Sequence, residues 1–148
     1  MHIAFAIARA GLAFGQASQQ QPFALRIAAD MPFRDGSNMF IRITETNTSD
    51  HVVDCQVDGV NFTSDVTFIY DLKDGDGRPV QMRSDVDDWP SAARRCALPP
   101  GKSYSSERLI SWLFHLVPGR YTIQVLRSAD DKGGSLVKSN VISFGVME

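Results

Sequence analysis

Leu116-Val117-Pro118-Gly119-Arg120-Tyr121-Thr122-Ile123-Gln124-Val125 is the stretch on which the fold turns. Pro118-Gly119 is a turn signal, and after it Tyr121, Ile123 and Val125 recur at every second position. That is the period of a half-buried strand and not of a helix. The same period recurs on both sides of this stretch. Phe23, Leu25 and Ile27 form one row, and Met39, Ile41 and Ile43 a second. Val66, Phe68, Tyr70 and Leu72 form a third, and Ile142, Phe144 and Val146 a fourth. Weaker strand patterns lie over 51–57, 79–83 and 102–109, so seven or eight strands are expected. Turn signals separate them at Arg34-Asp35-Gly36-Ser37, Asn47-Thr48-Ser49-Asp50, Asp74-Gly75-Asp76-Gly77, Pro99-Pro100-Gly101 and Asp131-Lys132-Gly133-Gly134. Strands joined by such turns, without intervening helices, predict an all-β sandwich. The one helical pattern is Leu109, Trp112, Leu113 and Leu116, a short crossover turn that Pro118 would stop.

The chain has 148 residues, which suits one domain. Of its 17 acidic residues 14 are Asp, a residue that favours turns and caps over helix interiors. With 15 basic residues the formal net charge is -2, so there is no electrostatic footprint for nucleic acid. From Ile3 to Phe14 the chain is apolar apart from Arg9, and Gly15-Gln16-Ala17 has the small-x-small form of a cleavage site. Residues 1–17 are therefore expected to be a secretory signal peptide, 18–22 a polar linker and 23–148 the sandwich. The product would be secreted or periplasmic. No apolar run approaches the ~20 residues of a membrane span.

The segment from Ser84 to Arg95 lacks strand periodicity and reads as a long loop or a short helix capped by Asp88. It carries Asp85, Asp87, Asp88, Trp89, Arg94 and Arg95, the candidate binding residues. Trp89 either stands exposed as a binding anchor or folds back as a lid over the end of the sandwich. Asp71, Asp74 and Asp76 could crowd oxygen ligands for Ca²⁺, but the loop lacks the EF-hand pattern and is better read as a turn. Cys55 and Cys96, 41 positions apart, are either one bridge, as suits an exported chain, or two buried thiols. No G-x-S-x-G elbow occurs, and His51 and His115 suggest no base for a nucleophile. Gly101-Lys102-Ser103 lacks the leading glycine of a phosphate loop. No cofactor is implied. Asn47-Thr48-Ser49 and Asn61-Phe62-Thr63 are formal glycosylation acceptors.

Tyr121, placed just after Pro118-Gly119 at the start of a strand, resembles the tyrosine corner of immunoglobulin-like Greek-key sandwiches, although a plain core tyrosine would fit the same pattern. On this reading Pro118, Gly119, Tyr121 and Trp112 are framework residues. Asn47-Thr48-Ser49-Asp50, Phe68-x-Tyr70 with Asp74 and Gly77, Leu98-x-Pro100-Gly101-x-Ser103, Trp112 and Pro118-Gly119-x-Tyr121-Thr122 are also similar to the bacterial intracellular proteinase inhibitor family. The similarity runs from Phe40 to Val125 and implies a small immunoglobulin-like sandwich. No reactive-site loop carries over residue by residue, and an export signal departs from that family's intracellular setting. The expected function is a non-catalytic exported module that binds a protein or glycan through loops or a sheet edge. The alternatives are a proteinase inhibitor, with Arg94 or Arg95 offered to a trypsin-like pocket, and a calcium-dependent adhesion unit.

Overall fold

A computed structural model describes residues 21–57, 68–84, 94–129 and 134–148. Among them are nine strands in three sheets and one four-residue helix. The strands are β1 (Phe23–Ala29), β2 (Phe33–Arg34), β3 (Phe40–Asn47), β4 (Val53–Val57), β5 (Ile69–Asp74), β6 (Arg94–Leu98) and β7 (Ser103–Leu109). Helix α1 (Ile110–Leu113), β8 (Gly119–Ser128) and β9 (Leu136–Met147) follow. One sheet has the order β1-β3-β7 and is antiparallel throughout. The second has the order β2-β9-β8-β5, with β2 parallel to β9. The third is the β4-β6 ribbon.

Period two decides which side chains meet between the sheets. Phe23, Leu25 and Ile27 of β1 and Ile41 and Ile43 of β3 are buried in one cluster with Leu72 of β5, Ile123 and Val125 of β8 and Phe144 and Val146 of β9. Both larger sheets thus contribute to one core, an arrangement consistent with a β-sandwich. Side chains of this size stabilise by roughly 1.5–3 kcal/mol each when fully buried.

Four expectations change. The segment 79–83 makes only isolated bridges, Lys73 to Pro79 and Met82 to Phe114, because Pro79 has no N–H to continue a ladder. Arg94 and Arg95, expected in a loop, lie in β6, where they pair with Val57 and Gln56. Phe33-Arg34, at the edge of an expected turn, forms β2. With β2 and β6 added and 79–83 removed, the seven or eight expected strands become nine. Finally, the helix is a single turn whose buried residues are Ile110 and Leu113. Phe114 is already extended, at φ -130° and ψ 144°, so the 3.6-residue period does not reach Leu116, and Trp112 faces outward.

Two asparagine side chains tie strands together that are distant in sequence. Asn47, at the end of β3, is only 1% exposed. Its amide donates to the carbonyls of His51 and Leu98, both at 2.7 Å, and its Oδ1 accepts from the Ser49 N–H at 2.8 Å and the Ser49 hydroxyl at 2.7 Å. Its own N–H and carbonyl bond to Lys102 and Gly101. The carbonyl of β6 is thereby tied to β3. Since the amide is buried and fully bonded, Asn47 is expected to stay unglycosylated when the folded protein is offered to an oligosaccharyltransferase. Asn47→Ala should cost about 2 kcal/mol in urea unfolding through carbonyls left unpaired.

Asn140 performs the second task. In β9, Ser139 and Asn140 together oppose the single residue Val125 of β8, a β-bulge. The Ser139 hydroxyl accepts the Val125 N–H at 2.9 Å and donates to the Asn140 carbonyl at 2.6 Å. The Asn140 side chain then crosses to β1, accepting the Ile27 N–H at 2.8 Å and donating to the Ile27 carbonyl at 3.1 Å. Because β1 is an edge strand, this amide satisfies groups that a neighbouring strand would otherwise take. Asn140→Leu is expected to cost about 1–2 kcal/mol, read as a lower urea midpoint with an unchanged slope.

Candidate functional site

The expected site residues are dispersed. Asp85, Asp87, Asp88 and Trp89 lie outside the described residues, as do Asn61 and residues 1–17. Arg94 and Arg95 have their backbones committed to β6. Asp71 pairs with Lys73 at 3.1 Å and Asp76 with Arg78 at 3.1 Å. Asp74 Oδ1 accepts the N–H groups of Asp76 and Arg78, both at 2.9 Å, and Gly77 supplies the left-handed φ of +79° that closes the turn. The three carboxylates are thus engaged separately, and among the described residues no three His, Cys, Asp or Glu side chains are grouped to hold a metal ion.

Cys55 and Cys96 are bridged and stand opposite one another in the β4-β6 ribbon, with Cα atoms 4.9 Å apart. The Tyr121 hydroxyl donates to the Val117 carbonyl at 2.8 Å and receives the Val117 N–H at 3.2 Å, while its ring stacks on Phe144 at 5.4 Å. The turn at Pro118-Gly119 is thereby fixed to the core. At His51 the imidazole lies 3.1 Å from Asp50, and this hydrogen bond holds the Asp50 carboxyl below its usual pKa. The nearby Ser49 hydroxyl has one proton, directed to Asn47 Oδ1 at 2.7 Å with the His51 carbonyl at 3.0 Å as the alternative acceptor.

What the tertiary structure assembles lies instead around Trp112. Its side chain is 45% exposed, and the Arg83 guanidinium sits 5.8 Å from the ring centroid. Beside it opens a cleft of about 290 Å³ between the Asp35–Asn38 turn and the α1 segment, with Asp35, Ser37, Asn38 and His115 on its rim. Both walls are fixed. On one side, Gly36 adopts a φ of +70°, the Ser37 N–H and hydroxyl bond to the Arg34 carbonyl at 3.1 and 2.6 Å, and the Asp35 N–H bonds to Met147 at 2.8 Å. On the other, the Ile110 N–H donates to the Met39 carbonyl at 2.8 Å, the Met39 N–H donates to the Ser111 hydroxyl at 3.1 Å, and the Arg83 N–H donates to Leu113 at 2.9 Å.

No protein-family model matches the chain, and no curated protein is significantly similar to it.

A larger depression, of about 560 Å³, lies on the outer face of β8 and β9, where Gly75 and Gly145 present no side chain. Its aromatic members, Tyr121 and Phe144, are buried in the core and offer no exposed ring. No helix among the described residues is long and apolar enough to cross a membrane. The Trp112 cleft therefore combines, as the larger depression does not, an exposed aromatic with several hydrogen-bonding side chains on rigid walls. That combination is what a small binding site requires. Sequence reasoning took Trp112 for framework and residues 34–37 for a plain turn. The available signal was Ser111-Trp112 followed by His115, polar and aromatic residues around a helix too short to bury them all.

Proposed function

We propose that the chain is a non-catalytic, exported binding module with an immunoglobulin-like Greek-key sandwich fold, and that it engages a protein or glycan at its Trp112 end. The observation that carries this reading is an exposed tryptophan beside a cleft whose walls are pinned by hydrogen bonds. Large exposed aromatics at preorganised sites concentrate binding energy because little ordering entropy is lost on association. The Greek-key assignment is supported by the Tyr121 to Val117 hydrogen bonds and by the two larger sheets sharing one core. Export is supported by the Cys55–Cys96 bridge, which suits an oxidising compartment. The resemblance to the proteinase inhibitor family is taken as support for the fold.

Immobilised protein and its Trp112→Ala variant, incubated with secreted and envelope fractions of the source cells, test the reading. The wild type is expected to retain a partner that the variant releases, with both proteins melting at the same temperature. Equal retention by the two would overturn it, as would a hydrolytic activity abolished by His115→Ala.

A further inference from the structure

Resting on that reading, we infer that the Trp112 cleft takes a single uncharged pyranose ring, the terminal sugar of a glycan. A pyranose is amphipathic in a particular way, with an apolar face of C–H groups and a perimeter of hydroxyls. The cleft has the matching halves. Trp112 lines the cleft and is 45% exposed with the Arg83 guanidinium over its ring, and the electron-rich face of an indole attracts polarised C–H groups. The Asp35 carboxylate accepts hydrogen bonds, while the Asn38 amide and the His115 imidazole both donate and accept them, so the rim can meet alternating hydroxyls.

Charge narrows the ligand class. Among the described residues, Asp35 on the rim and Arg83 over the indole are opposite in sign, so an anion and a cation would each meet a like charge there. Size agrees: about 290 Å³ is just below the roughly 300–1,000 Å³ usual for small-molecule pockets and suits one ring. Rigidity points the same way, because the hydrogen bonds from Ser37 to Arg34, from Met39 to Ser111 and from Ile110 to Met39 fix the cleft before a ligand arrives. A weakly held ligand such as one sugar ring has little interaction energy with which to order loops.

The test follows the indole Nε1–H resonance of Trp112 by NMR in the full protein, assigned by its loss in Trp112→Ala. Methyl glucoside, methyl galactoside, methyl mannoside and N-acetylglucosamine are added separately. At least one is expected to give a saturable shift with a Kd of about 1 mM. Asn38→Ala, an exposed substitution that leaves the melting temperature in place, should weaken that binding by about tenfold. In Trp112→Ala the shifts of the remaining rim resonances should vanish. Absence of a saturable shift with all four sugars overturns the pyranose assignment, as does a response of the rim resonances that persists unchanged in Trp112→Ala. A protein partner retained by the wild type and released by Trp112→Ala, with no sugar response, would refute the pyranose while leaving the binding reading in force. Equal retention by wild type and variant, together with no sugar response, would refute both.

Discussion

Arg127→Met is expected to lower the unfolding free energy by about 3–5 kcal/mol, a large fraction of the 5–15 kcal/mol typical of a domain. Arg127 projects from β8 and joins all three sheets. Its guanidinium forms an ion pair with Glu45 of β3, donates to the Asp54 carbonyl of β4 at 3.0 Å, and lies 4.8 Å from the ring centroid of Phe23 in β1. The side chains of Arg127 and Glu45 are 12% and 2% exposed, so water screens the pair little. Methionine keeps much of the volume but leaves a carboxylate in the interior without this guanidinium. The desolvation cost of that charge, more than the lost attraction, sets the size of the effect. The double variant Glu45→Leu/Arg127→Met removes both charges and should recover most of the stability, since buried ion pairs replaced by apolar side chains are often close to neutral. Chemical denaturation of the wild type, the two single variants and the double variant measures this directly. A double variant as unstable as the sum of the singles would show that the two residues act independently.

Cys55→Ser/Cys96→Ser should cost about 4 kcal/mol, the chain-entropy value for a closed loop of this length, and lower the melting temperature by roughly 10 °C. The loop spans 41 positions, and the bridge sits in a two-stranded ribbon. A ribbon of two strands is marginal by itself and depends on ties to the rest of the fold. Among those ties are the bonds from Asn47 to the Leu98 carbonyl and from Arg127 to the Asp54 carbonyl, and the packing of Val53 against the core. Loss of the bridge should therefore loosen residues 53–57 and 94–98 first, visible as faster amide exchange there than in β3 or β8. Reduction of the wild type with dithiothreitol should reproduce the shift. An unchanged melting temperature, with both thiols titrated as free, would show that the strand pairing holds without the bridge.

Much of the fold was legible because its signals are local. Alternation at period two correctly placed Phe23, Leu25 and Ile27, Ile41 and Ile43, and Tyr121, Ile123 and Val125 on inward rows. The same alternation runs on through Glu45 and Asn47, which are buried as well, but no apolar side chain marked those positions. β6 was hidden for the opposite reason: Arg94-Arg95 is a charged pair whose strand conformation follows from pairing with β4. The short helix was legible, but not which of its residues it buries. The helical spacing of four apolar residues allowed one or two turns; the chain uses one, which leaves Leu116 beyond the helix and moves Trp112 from the expected framework to the surface.

At most one wall of the candidate site left a mark in the sequence, at Ser111-Trp112 and His115, because its two walls are remote in sequence. Met39 and Ser111, whose bond fixes one wall to the other, are 72 positions apart.

The sequence by itself therefore determined the strand faces and most of the turns. Side-chain alternation, the backbone freedom of Gly36, Gly77 and Gly101 and the missing N–H of Pro79 act within a few residues. Only the tertiary structure decided which partners the interior polar groups find: Arg127 for Glu45 across 82 positions, and Asn140 for the open edge at Ile27 across 113. A buried charge or an unpaired edge states its need locally but can be satisfied from anywhere in the chain. For the same reason Trp112 acquires its polar neighbours Asp35 and Asn38 only when the sheets close.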